Sequence, residues 1–286
     1  MKKQIPWFTP MRIVFAALAL LLVASCADNP DEDAYVEKPV GDLYNEAMYQ
    51  LQKDEYKAAA KAFDEVERQH PYSIWATKAQ LMSAYAYYQD SKYDEAVVAI
   101  NRFLQLHPGH RDAVYAYYLR GLCYYEQITD VERDQKVTQQ AADSLREVIN
   151  RFPKSPYARD ARLKLDLTLD HMAGKEMEIG RFYQKRGEYL AAINRFKIVI
   201  TQYQTTTHVP EALHRLVESY LALGLMDEAY KAAAVLGYNF PGSQWYEDSY
   251  KDIKGSHSAA GGTGSPVAAD DEGTPGQRGS WFGWLW

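Results

Sequence analysis

The chain has 286 residues, a formal net charge of −6 and 47% hydrophobic residues. The negative net charge argues against binding to nucleic acid and against binding to anionic lipid through a basic patch. The length allows a substantial hydrophobic core. Only two cysteines are present, so a disulfide-stapled scaffold is excluded.

Residues 1–25 have the pattern of a cleaved signal peptide. Lys2, Lys3 and Arg12 are followed by an apolar run over residues 13–24, which is too short for the ~20 helical residues that span a bilayer. The small residues before Cys26 resemble the bacterial lipobox, in which the cysteine receives a diacylglyceryl group and becomes the new N-terminus. The alternative is an ordinary signal peptide followed by a chance cysteine.

The residues after Cys26 indicate where the chain is held. In Gram-negative lipoproteins an Asp at the next position favours the inner membrane, so Ala27 predicts the periplasmic face of the outer membrane. Residues 26–39 are polar, acidic and without apolar periodicity, which predicts a flexible tether. Cys123, in an apolar setting, is then expected to be buried and unpaired.

A helix-pair pattern recurs five times over residues 40–254. The second helix of each copy carries a small residue, two apolar residues and usually a proline. The series reads Ala59, Phe63, Val66, Pro71; Ala96, Ile100, Phe103, Pro108; Ala141, Leu145, Val148, Pro153; Ala192, Phe196, Val199; and Ala229, Ala233, Leu236, Pro241. The preceding helix has a small residue and usually a tyrosine three positions later, as at Gly121 and Tyr124.

This spacing is the tetratricopeptide (TPR) pattern. It predicts an all-α superhelical solenoid of five TPR helix pairs, closed by a short helix near residues 244–253. The third and fourth repeats are longer than the others. The third is expected to carry an insertion around residues 129–136, and the first helix of the fourth is expected to extend upstream to about Tyr157. No sustained period-2 alternation competes with this prediction.

No catalytic motif interrupts the repeats. His107 and His110 flank a Pro-Gly turn without an evident third ligand, and Glu176 falls on a regular helix, where a solvated face explains it better than a glycosidase acid. Motifs of zinc proteases, serine hydrolases, phosphate loops and dithiol redox proteins are missing. We expect a non-enzyme without catalytic residues, metal or cofactor apart from the lipid on Cys26, and with a surface for binding polypeptides.

Several stretches, together with the lipobox, closely resemble the BamD family, the TPR lipoproteins of the β-barrel assembly machine. They are His70–Ser73, Ala84–Tyr88, Asn101–Phe103, Tyr118–Leu122 and Lys185–Tyr189, and the resemblance covers roughly residues 20–253. It implies a non-catalytic scaffold of the BAM complex that promotes the folding and insertion of outer-membrane proteins. The C-terminal repeats would dock to the POTRA domains of BamA, and the N-terminal repeats would receive the β-signal of unfolded substrates.

The resemblance also assigns residues to these roles. The arginine that couples the family to BamA falls on Arg195, whose alternative role is that of a solvated helix arginine. The aromatics that face the substrate fall on Tyr72, Trp75, Tyr85 and Tyr88. Two other kinds of lipoprotein would also have the lipobox and the helices. One activates a peptidoglycan synthase, and the other assists a pilus secretin.

Residues 255–286 depart from the family. Their Gly, Ser and Pro content predicts a disordered tail, yet residues 281–286 read Trp-Phe-Gly-Trp-Leu-Trp. Three roles remain open for this aromatic segment: anchoring at the membrane interface, docking in a partner groove, or mimicry of a β-signal.

Overall fold

The computed structural model describes residues 37–129 and 135–260, with side chains described up to residue 256. Within these ranges eleven α-helices follow one another and no strand occurs. They are α1 (Val40–Gln52), α2 (Tyr56–Gln69), α3 (Ile74–Gln89), α4 (Tyr93–Leu106), α5 (Ala113–Tyr125), α6 (Lys136–Arg151), α7 (Pro156–Lys185), α8 (Tyr189–Gln202), α9 (Val209–Ala222), α10 (Met226–Asn239) and α11 (Gln244–Ala260). The all-α TPR solenoid is confirmed. None of the described helices has the length and apolar character needed to cross a membrane.

The repeat anchors form the core. In the first four pairs the small residue and both apolar residues of the second helix are all fully buried. The facing position of the first helix must be small because the partner ring or side chain occupies the space beside it. A Cβ built on Gly180 would lie 2.4 Å from Cε1 of Phe196, and one on Gly121 would lie 3.0 Å from Cδ2 of Leu145. Periodicity in the sequence therefore corresponds to direct contact between helices.

The first helix of each pair lies on the inner side of the superhelix. Helices α1, α3, α5, α7, α9 and α11 each contact the next member of that series. Contacts between successive second helices are at most marginal within the described ranges. Helices that touch across repeats lie at the smaller radius of a curved stack, so side chains shared between first helices face the inner surface.

Four of the helix pairs are joined by the same tight turn. Its central residue has a positive φ, at Asp54 (60°), Ser91 (58°), Gly187 (76°) and Gly224 (72°). The following N–H closes the turn on the preceding helix, as when Lys92 N donates to Tyr87 O at 2.9 Å, which is the Schellman arrangement. The third pair has a longer connection between Tyr125 and Lys136, where the insertion was predicted.

Helix α7 is 30 residues long and belongs to two parts of the core. It begins at the N-cap Ser155, whose hydroxyl accepts a hydrogen bond from Ala158 N, and Pro156 is compatible with the first helical turn. Its first half packs Ala161 against the α6 core, and its second half packs Met177 into the core of the last repeats. The predicted upstream extension is confirmed, and one unbroken helix connects the two cores.

The closing helix is longer than expected. The sequence predicts an end near Ile253 and a disordered tail from residue 255, whereas α11 runs to Ala260, so the tail prediction is wrong for residues 255–260. Ser256 does not break the helix because its hydroxyl donates to the carbonyl of Ile253 at 2.8 Å. The predictions for residues 1–36 and 261–286 lie outside the described residues.

Candidate partner-binding surface

Five tyrosines from three first helices form a cluster on the inner surface. We call Tyr85 and Tyr88 of α3, Tyr115 and Tyr118 of α5, and Tyr157 of α7 the tyrosine cluster. The ring of Tyr157 lies 5.6 Å from that of Tyr115 and 5.2 Å from that of Tyr118. Tyr85, Tyr88 and Tyr115 pack against the core between α3 and α5. All five side chains are partly exposed.

Burial raises the pKa of three hydroxyls of the tyrosine cluster, those of Tyr88, Tyr115 and Tyr118. Partial burial and the negative charge of Glu126 raise the pKa of Tyr88 to about 12. Burial and a hydrogen bond to Asp160 raise the pKa of Tyr118. The Tyr85 hydroxyl accepts a hydrogen bond from Nε2 of Gln89 at 2.6 Å. The tyrosine cluster therefore combines apolar ring faces with neutral hydrogen-bonding groups.

Two of the four aromatics assigned to the substrate lie apart from the tyrosine cluster. Tyr72 belongs to the loop between α2 and α3 and is 101% exposed. Trp75, on the first turn of α3, is half-buried, and its ring lies 4.8 Å from that of Tyr44 on α1. No hydrogen bond or ring contact joins Tyr72 to the tyrosine cluster in the described chain. The substrate roles of Tyr72, Trp75, Tyr85 and Tyr88 stay predictions.

Three members of the tyrosine cluster were missed by the sequence analysis. Tyr115 and Tyr118 are one turn apart on α5, and Tyr157 follows an insertion that breaks the repeat spacing. A signal existed, since residues 115 and 118 share one face of a first helix. Their approach to Tyr157 depends on how α7 packs across α5 and α6, which no local pattern specifies.

The inner surface is charged toward the last repeat. Nη1 of Arg181 on α7 donates to Glu211 on α9 at 3.1 Å. Nη1 of Arg215 donates to Glu218 at 2.8 Å, and Gln184 donates to the same carboxylate oxygen at 3.0 Å. Burial raises the pKa of Glu218, but hydrogen bonds from His214 and Arg215 outweigh burial and hold that pKa at about 2. We call Arg181 and Gln184 of α7 with Glu211, Arg215 and Glu218 of α9 the charged network.

The sequence-predicted Arg195 lies on α8. Its Nη1 donates to Oε2 of Glu176 on α7 at 3.1 Å, and its side chain is 38% exposed. The side chain of Glu176 is less exposed, at 19%, so the arginine end of the pair faces solvent. The guanidinium is therefore accessible to a partner that offers a second carboxylate.

Comparison with known proteins identifies the family. The YfiO family, described as an outer membrane lipoprotein, matches residues 36–236. The chain belongs to this family. The outer membrane protein assembly factor BamD of Caulobacter vibrioides is 50% identical over 244 residues, which cover 85% of this chain and 80% of that protein. BamD of Rickettsia prowazekii is 49% identical over 82% of this chain and 93% of its own length, and BamD of Neisseria meningitidis serogroup A is 36% identical over 81% and 92%.

The resemblance to BamD is thereby confirmed. The range matched to the YfiO family contains Arg195, the tyrosine cluster and the charged network. It begins after Cys26, whose lipidation stays a prediction, and ends before the aromatic segment at residues 281–286.

One group of possible metal ligands was also missed. Ligand atoms of His214, Glu218 and Asp252 lie within 4.8 Å of one another. Protein groups already engage two of the three residues, because Arg215 donates to Glu218 and the His214 ring shares a 2.9 Å hydrogen bond with Ser249. Asp252 comes from α11, so spacing within one helix could not reveal this proximity. The absence of a metal or cofactor stays a prediction.

Proposed function

We propose that this chain is a non-catalytic scaffold of a β-barrel assembly machine, which binds unfolded outer-membrane proteins on the tyrosine cluster and BamA on its C-terminal repeats. Membership of a family whose relatives are named outer membrane protein assembly factors supports the assembly role. The observation that supports the substrate site is the meeting of five partly exposed tyrosines from three first helices on one inner surface.

The tyrosine cluster fits the chemistry of a β-signal. An extended segment of this kind alternates aromatic and polar side chains. Its aromatic face can stack on the tyrosine rings, while its backbone and polar side chains form hydrogen bonds with the tyrosine hydroxyls. Aromatic pairs contribute ~0.5–1.5 kcal/mol each beyond the area that they bury. A few such contacts give a moderate, reversible affinity, which suits a substrate that must be passed on.

The C-terminal repeats suit a folded partner. Arg195 is the more exposed partner of its ion pair, so its guanidinium can meet a carboxylate of BamA while it stays paired with Glu176. The charged network, in contrast, is satisfied internally and holds α7 against α9. We assign BamA coupling to Arg195 and a stiffening role to the charged network.

The place of action follows from the proposed anchor. Acylation of Cys26 would hold the chain at the periplasmic face of the outer membrane, and the tether over residues 26–39 would leave it free to reach a membrane-embedded partner.

Site-specific crosslinking tests the substrate site. Tyr85→Ala combined with Tyr88→Ala should lower crosslinking of a β-signal peptide severalfold and leave co-purification of BamA unchanged. Tyr238→Ala is the matched control, since Tyr238 is an exposed tyrosine on the second helix α10. Equal crosslinking in the double variant and the control would refute the assignment.

Affinity purification tests the assembly role itself. Recovery of a large barrel protein with POTRA domains is expected. Recovery of a peptidoglycan synthase or a pilus secretin in its place would contradict the proposal.

A further inference from the structure

The described chain begins beside an exposed apolar loop. The backbone N–H of Lys38 donates to Oε1 of Gln69 at 2.9 Å, and Nε2 of His70 donates to the carbonyl of Lys38 at 2.8 Å. These two bonds, from residues at the end of α2, fix the point where the tether joins the fold. Residues 71–74 follow His70 directly; they comprise the connection from α2 and the first residue of α3, and we call them the 71–74 loop.

The 71–74 loop presents its apolar side chains to solvent. Tyr72 is 101% exposed and Ile74 is 77% exposed, the highest values among large hydrophobic side chains in the described ranges. The loop is also held in shape. The hydroxyl of Ser73 caps α3 by accepting from Trp75 N at 3.1 Å, and Trp75 packs on Tyr44. Two neighbouring large hydrophobic side chains are thus held in a fixed position on the surface.

The charge around the loop suits a lipid surface. Residues 70–79 contain no acidic residue, although the chain as a whole is acidic. Lys78 lies one turn into α3, with its Nζ 5.1 Å from the centroid of the Trp75 ring. Three of the acids on α1 and α2 form ion pairs, Glu46 with Lys38, Glu65 with Arg68 and Glu67 with Arg102.

We propose that the 71–74 loop inserts into the lipid surface to which Cys26 tethers the chain. Tyr72 lies at the level of the headgroups, where amphipathic rings concentrate, and Ile74 enters the acyl boundary. This inference rests on the proposed lipid anchor.

The tether keeps the loop within reach of the membrane. Residues 27–37 separate Cys26 from Lys38, so the linker spans at most about 40 Å when extended and about 20 Å on average as a flexible chain. Two side chains are too few to hold a free protein on a bilayer. A tethered loop needs much less affinity, because the anchor supplies a high effective concentration. The second contact orients the first repeat toward the membrane, which a flexible tether alone does not do.

Depth-dependent quenching tests the proposal. The mature chain carries Cys26→Ser and an N-terminal hexahistidine tag in place of the lipid. It is bound to phosphatidylethanolamine and phosphatidylglycerol vesicles that contain a nickel-chelating lipid. A nitrobenzoxadiazole label is placed at Pro71→Cys or, as the matched control, at Pro108→Cys, the same exposed position one repeat later. Cys123 is fully buried and is not labelled.

Quenching by doxyl-labelled lipid should be about threefold stronger at position 71 than at position 108, because only the first loop enters the interface. Tyr72→Ser with Ile74→Ser should lower quenching at position 71 to the level at position 108. The control pair Leu163→Ser and Leu167→Ser, two exposed leucines on α7, should leave quenching unchanged.

Equal quenching at positions 71 and 108, or quenching at 71 that survives Tyr72→Ser with Ile74→Ser, would overturn the proposal. Since the tag replaces the lipid and no substrate is present, this result is independent of Cys26 acylation and of the crosslinking test. If the double variant instead loses β-signal crosslinking while its quenching is unchanged, Tyr72 serves the substrate and the lipid contact is refuted.

Discussion

Gly180 lies directly against the ring of Phe196 in the second helix of its repeat, and Gly180→Ala tests the packing of the solenoid. The added Cβ would lie 2.4, 2.8 and 2.9 Å from Cε1, Cδ1 and Cζ of Phe196. Carbon atoms attract at about 3.5–4.0 Å and repel strongly below that separation. The Phe196 ring is fully buried in the core between α7 and α8, so it has no free space into which to move.

The magnitude follows from two opposing terms. Overpacking a filled core costs typically ~1–3 kcal/mol, and contact of a new atom with three atoms of one buried ring points to the upper end. Replacing glycine by alanine inside a helix returns ~1 kcal/mol. We expect Gly180→Ala to lower the free energy of unfolding by about 2 kcal/mol.

Gly121→Ala provides the matched comparison. Its Cβ would lie 3.0 Å from Cδ2 of Leu145, a terminal methyl group that can shift by a few tenths of an ångström. The smaller strain and the gain in helix propensity nearly cancel, so the expected change is within ~0.5 kcal/mol of zero. Both variants are measured by urea unfolding of the Cys26→Ser mature chain, followed by circular dichroism at 222 nm. A Gly180→Ala protein as stable as the Gly121→Ala protein would refute the reasoning.

Three further predictions concern turns, acid stability and thiol reactivity. Gly224→Ala should destabilise the chain by ~1 kcal/mol, because φ is 72° at this position although there is room for a Cβ. Ser91→Gly should not destabilise the chain in the same urea assay. A Ser91→Gly protein less stable than the Gly224→Ala protein would contradict the turn argument. The pKa of Glu218 is lowered from 4.5 to about 2, so its contribution to stability is complete above pH 4.5 and is lost as the pH falls toward 2. Glu218→Gln should flatten this acid dependence in thermal melts, and an unchanged pH profile would exclude the effect. Cys123 is fully buried, and burial raises its pKa to about 12. It should therefore react with Ellman's reagent only after unfolding. Rapid reaction in the native protein would show that solvent reaches this part of the core.

The helix pairs could be predicted from the sequence because each anchor acts within one pair. Phe196 and Gly180 lie in the two helices of a single repeat, and the pairing of a large ring with a glycine predicts the contact between them. The tyrosine cluster could only be predicted in part. Tyr85 and Tyr88 share one helix, whereas Tyr157 joins them through the packing of three helices across an insertion.

The ion pairs were beyond sequence reasoning for the same reason. Arg195 could be assigned by resemblance, but its partner Glu176 depends on the relative rotation of α7 and α8. The end of α11 was misjudged because composition near Gly255 and Ser256 favours a break, while the serine hydroxyl satisfies a helix carbonyl instead.

Helix α7 makes the two ends of the inner surface mechanically dependent on each other. Tyr157 of the tyrosine cluster and Arg181 of the charged network stand on the same unbroken helix, about 36 Å apart at 1.5 Å per residue. A tilt of 5° imposed at the Arg181 end displaces the Tyr157 end by about 3 Å, a distance sufficient to separate stacked rings. If the proposed partner tilts α7 at the last repeats, the same movement therefore changes the spacing of the rings in the tyrosine cluster.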